Sequence, residues 1–147
     1  MSSNKNDLQL SAVTRWVVFA ILFMAIGTVS ELFLISHYED SWQILPIILI
    51  VLSLVVFSTT LFSSANWAVN VFRWLLAFCA LSGLLGVYFH LNANYEFETE
   101  LHPTQDWLTS FIESLSGALP ALAPGSMIAF ALIGYIYILL KHKSHKQ

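Results

Sequence analysis

Residues 82–102 read SGLLGVYFHLNANYEFETELH, and this stretch decides the fold. Its first half is apolar and carries glycines; its second half carries His90, two asparagines and the glutamates Glu96, Glu98 and Glu100. No proline or glycine interrupts the change from apolar to charged, the pattern of a helix that leaves a bilayer and enters water. Ser82, Gly86, His90, Asn94 and Glu98 recur every four residues, so a helix that continues past the membrane carries them as one slowly drifting stripe. Cys79 and Gly83 form a parallel row of small residues, where a neighbouring helix can approach closely.

The rest of the chain fits that reading. Of its 147 residues 57% are hydrophobic and 10% charged, against about 25% charged in an ordinary soluble protein, so lipid is the solvent this composition requires. The expected fold is all-α, an integral membrane four-helix bundle in a single domain. Its spans are expected at about residues 11–36, 42–62, 67–90 and 124–140. Each covers most or all of a bilayer core of about 30 Å at about 1.5 Å per residue. The first span follows a polar tail, and no small-residue cleavage site follows it; it reads as an uncleaved anchor.

The connection 91–123 is far longer than a tight helical turn. Within it Trp107, Leu108, Phe111, Ile112 and Leu115 fall on one helical face, and Asp106, Thr109, Ser110 and Glu113 on the other. This predicts a short interfacial amphipathic helix between the third and fourth spans.

Charge sets the expected orientation. The cations Lys5, Arg15, Arg73, Lys141, Lys143 and Lys146 fall at one end of the bundle, and every acid except Asp7 at or near the other. Under the positive-inside rule both termini are cytoplasmic, in a multi-pass protein of the bacterial inner membrane. A net charge of −3 with no basic stripe argues against nucleic acid as a partner. Cys79 is the only cysteine, so neither an intrachain disulfide nor a paired-thiol redox motif is available.

The candidate site lies at the acidic end. Glu31 is an ionisable group inside a predicted span, about one turn below its end. It is expected to face the bundle and to pair with His37, His90 or a metal, because a buried carboxylate without a partner is costly. YEFETEL has two geometries: as a strand it aligns Glu96, Glu98 and Glu100 on one face, and as a helix it spreads them. With His90, His102 and His37, and with Glu39 and Asp40 nearby, these acids form a mixed imidazole and carboxylate set that suits zinc, manganese or iron. The expected metal set is Glu31, His37, His90, Glu96 and Glu98, with Asn94, Glu100 and His102 completing the polar patch. A hydrogen-bonded packing seam and a solvated acidic surface are the plainer readings of the same residues. His142 and His145, among lysines, read as a stop-transfer tail on an anionic leaflet.

The position of Glu31 resembles that of the membrane-embedded carboxylate in the first helix of small multidrug exporters. The residues around it, IGTVSELFLISHYED, and the long outer loop depart from that pattern. The functional expectation is a non-enzymatic membrane protein whose outer patch, lidded by residues 106–115, binds a partner or a divalent cation. The alternative is a proton-coupled transporter or channel subunit that acts as an oligomer through Glu31. An enzyme using His90 with Glu96 or Glu98 as an acid-base pair comes third.

Overall fold

The computed structural model describes the backbone of residues 2–63 and 65–144 and the side chains of residues 8–63 and 65–143. His145 and Lys146 lie outside the described residues, as do the side chains of Lys5 and Asp7. The chain forms α1 Ser2–Leu34, α2 Ser41–Phe62, α3 Asn66–Leu101, α4 Trp107–Ser114 and α5 Gly125–Ser144, with no strand among the described residues. Helices α1, α2, α3 and α5 are long and apolar enough to cross a membrane. This is the expected all-α four-helix membrane bundle, with the short fifth helix where the amphipathic pattern places it.

The boundaries follow local chemistry. Asp40 caps α2: its Oδ1 accepts from the backbone N–H groups of Trp42 (2.8 Å) and Gln43 (2.9 Å), satisfying donors that a helix start leaves open. Pro46 falls in the second turn of α2. The third helix differs most from its expected span of 67–90, running on to Leu101. Hydropathy drops after His90, but nothing there interrupts the backbone ladder. Only Pro103 does so, by disfavouring helical backbone at the residue before it; His102 is accordingly the cap, at φ −127° and ψ 65°.

Helix α3 is the axis of the molecule, packed against α2, α4 and α5, while α1 lies outside against α5 and α2. The core is aromatic at its centre: Phe57, Phe72 and Tyr137 meet with ring centroids 5.0 to 6.4 Å apart, and Ile21, Ile50, Phe130 and Ile138 close around them. Polar atoms inside it are paired. Ser53 Oγ lies 3.6 Å from Cys79 Sγ, and the Thr60 hydroxyl donates to the Phe57 carbonyl at 2.7 Å. At the basic end the Lys141 ammonium donates to the carbonyls of Thr60 and Ser63, a cation placed at the carbonyl end of α2.

The small-residue row of α3 does what its spacing predicts. A Cβ at Gly83 would lie 2.8 Å from Ile128 Cγ1 and 2.9 Å from the Pro124 carbonyl oxygen, and one at Gly86 would lie 2.7 Å from Pro124 Cβ. The start of α5 therefore presses onto α3 at those two glycines. Nearby, Trp42 stacks edge-on against Phe89 (5.5 Å) and His37 against His90 (6.3 Å). The α1–α2 turn and the start of α5 thus meet α3 between Gly83 and His90. From His90 the helix continues eleven residues to Leu101, about 17 Å at about 1.5 Å per residue.

Gly83→Ala should destabilise the fold by about 1–3 kcal/mol, because the Pro124 backbone must move. Gly27→Ala, where a Cβ meets nothing within 4 Å, should not. Denaturation of both variants in mild detergent micelles checks the contrast.

Candidate functional site at the acidic end

Asn94 is buried on the side of α3 that faces α4 and the connection after it. Its amide donates to the carbonyls of Ser114 (2.9 Å) and Leu119 (2.7 Å), and its Oδ1 accepts from the N–H of Leu119 (3.0 Å). Gly117 closes over the carboxamide; a Cβ there would lie 2.5 Å from Asn94 Cγ. One side chain thus supplies backbone partners to a loop that has no ladder of its own. Asn94 was expected in a ligand-binding patch; the structure makes it a clamp, with both amide hydrogens used.

Helix α4 is held in the same way. Asp106 Oδ1 accepts from the N–H groups of Leu108 (3.1 Å) and Thr109 (3.2 Å), and Oδ2 accepts from the Thr109 hydroxyl (2.6 Å). The hydroxyl bond, with the backbone N–H bonds behind it, holds the Asp106 carboxyl below the usual carboxylate range. Ser110 and Ser114, one turn apart, are buried against α3. Trp107, Leu108, Phe111, Ile112 and Leu115 are exposed. The helix therefore turns its small hydroxyls inward and its apolar face outward, as an interfacial helix does when lipid is its outer neighbour. It covers Asn94, while Pro120, further along the same connection, covers His90.

His90 Nδ1 lies 3.1 Å from the Pro120 carbonyl oxygen. A carbonyl only accepts, so Nδ1 carries the proton and Nε2 is the free lone pair of the neutral ring. The ring of His37 stands across from it at 71°. Burial, and then the neighbouring His90, push the His37 pKa below its ordinary value of 6.5, with Asp40 acting in the opposite direction.

The other expected site residues do not join this pair. Glu31 is exposed, which corrects the expectation that it faces the bundle. Ile21 and Ala25 are buried and Leu32 half-buried on the inner side of α1; Glu31, one residue before Leu32, is turned about 100° away. The expectation treated α1 as enclosed, whereas only 11% of its apolar window is buried. One turn from the end of the helix, a carboxylate costs less to leave without a protein partner than at mid-span. The YEFETEL run is helical, not extended, so its acids separate. Glu98 is half-buried towards α4, while Glu96 and Glu100 are exposed on another face, where Asn92 Nδ2 donates to Glu96 Oε1 at 2.8 Å. His102 is exposed and its N–H closes the last turn on the Glu98 carbonyl at 2.9 Å.

Among the described residues no group of three or more His, Cys, Asp or Glu side chains comes together to hold a metal. Of the expected zinc, manganese or iron ligands, the structure brings His37 and His90 together, edge-on at 6.3 Å between ring centroids. The residues the sequence reading missed are Gly117, Leu119 and Pro120, which contribute backbone atoms or the space around them. Gly117 and Pro120 carry a turn signal, but nothing in the sequence pairs that turn with Asn94. The chain matches no protein-family model, curated protein or solved structure.

Asn94→Leu should cost about 1–3 kcal/mol for each loop group left unpaired. The loss should be local: faster amide exchange and proteolysis at residues 114–119, with unchanged helical content. The depressed His37 pKa gives the second expectation. A group that prefers to be neutral when folded contributes stability above pH 6.5, and that contribution is lost as pH falls through 6.5 towards the lowered value. Denaturation midpoints between pH 7.5 and 5 should decline, and His90→Gln should flatten the slope.

Proposed function

We propose that the chain is a non-enzymatic protein of the bacterial inner membrane that displays its acidic end on the periplasmic side as a docking post for another protein. The observation that carries this reading is the continuation of α3 for eleven residues beyond His90, braced by the Asn94 clamp. Spanning the bilayer does not require those turns. Charge supports the orientation: Arg15, Arg73, Lys141 and Lys143 lie at the other end, and positive charge favours the cytoplasmic side. Four polar side chains of the acidic end, Asn94, Asp106, Asp40 and His90, are used in holding its connections and helix starts. A divalent cation, the other occupant considered, has the imidazoles of His37 and His90 to meet it.

The exposure of Glu31 favours one second reading, a proton-coupled oligomer. A carboxylate turned away from its own bundle, on the least buried of the spans, would enter a protein contact if α1 paired with α1 of another copy.

A photocrosslinking residue in place of Glu100 should give a discrete protein adduct in living cells, and one at Val55, exposed in mid-span, should not; lipid adducts alone at position 100 would end the docking reading. A cysteine at position 100 should react with a membrane-impermeant maleimide from the periplasm, and one at position 143 should be shielded. For the second reading, proton flux into proteoliposomes should be lost in Glu31→Gln, and flux that survives the substitution removes it.

A further inference from the structure

The face of α3 that α4 leaves open has its own pattern. Phe89, Ala93, Phe97 and Leu101 recur every four residues, and all four are exposed; Phe89, Phe97 and Leu101 are 41%, 52% and 55% exposed. Residues four apart on a helix form a ridge. A second row runs beside it, Asn92, Glu96 and Glu100, also exposed. The foot of the ridge is closed by Trp42, stacked on Phe89. Trp42 lies in the first turn of α2, so α2 does not reach beyond that contact, and no described element packs on the ridge for its last three turns. An apolar ridge flanked by acids is the surface of a helix that lacks its neighbour.

Charge selects among the neighbours. The chain has no Lys or Arg between Arg73 and Lys141, so no segment of its own acidic end can complement Glu96 and Glu100. A second copy seated symmetrically would place glutamate opposite glutamate, which disfavours it. An anionic lipid surface is disfavoured for the same reason, and Glu100 stands about 17 Å from Phe89 along the helix.

We infer that the ridge Phe89–Ala93–Phe97–Leu101 receives an amphipathic helix of a partner protein, with apolar side chains at four-residue spacing and Lys or Arg along the flank that meets Glu96 and Glu100. This rests on the docking function proposed above and names the surface and the chemistry of the partner. Ala93 at the centre lets the two backbones approach, the aromatic side chains on either side provide the burial, and the glutamates set register and orientation.

The test uses the full chain in nanodiscs of zwitterionic lipid, with a photocrosslinking residue at Ala93 so that only a peptide seated on the ridge is counted. Two synthetic 14-residue amphipathic probes share one leucine pattern, one carrying lysines and the other glutamates. The lysine probe should crosslink saturably, and Glu96→Lys with Glu100→Lys should reduce its yield at least about tenfold. The same charge-reversed protein should gain the glutamate probe, which shows that its fold survived. Equal yields for both probes on the unaltered protein, or a crosslink mainly to lipid or to a second copy, overturn the inference. The docking reading is judged separately by the adduct at position 100 in cells: a discrete protein adduct there, with no charge preference at Ala93, means that the partner is of another chemistry, whereas lipid adducts at both positions remove both.

Discussion

A helix of 36 residues is about 54 Å long, and the apolar core of a bilayer is about 30 Å thick. That excess length in α3 is the constraint on which the rest of the structure depends. Its first part is the axis against which the other spans pack. Its remainder stands clear of them and would be a solitary, solvated helix, which is marginal in water without tertiary packing. The chain turns back through Pro103 and lays α4 and the following connection against it. The buried Asn94 carboxamide then joins the two with three hydrogen bonds.

This arrangement reverses the usual burial of a short amphipathic helix. In water α4 would present Trp107, Phe111 and Ile112 to the protein and leave its serines outside. Here Ser110 and Ser114 are inside, because small hydroxyl side chains let α4 lie close to α3. The same economy of space governs α3 nearer the core along that side, where Gly83 and Gly86 admit Pro124. Close backbone approach, more than apolar burial alone, joins helices whose outer surroundings are as apolar as their cores.

Charge is segregated with equal clarity. At the basic end Lys141 is turned onto the carbonyls that end α2. At the acidic end Asp40 and Asp106 are turned onto the N–H groups that begin α2 and α4. Glu96 and Glu100 are different, because among the described residues no backbone group uses their carboxylates. They flank a face of α3 that no described element covers, and this sets them apart from the capping acids.

The amino-acid sequence determined the solvent, the helix count and the segregation of charge. Each of these follows from local composition and from a periodicity that one helix displays by itself. It also contained the four-residue rows of α3, since they depend only on the helical repeat. Tertiary structure decided which row met what. Asn94 and Glu98 turned inward while Glu96 and Glu100 turned out, because α4 packed on one side of α3 and α2, which begins at Ser41, does not reach the other. Glu31 was misplaced for a related reason: a span's inner face depends on how much of its circumference its neighbours cover, and α1 has neighbours on a narrow arc. The pairing of His37 with His90, and of Asn94 with a loop twenty residues further on, joins groups distant in the chain, and such meetings are set by packing geometry that no local pattern encodes.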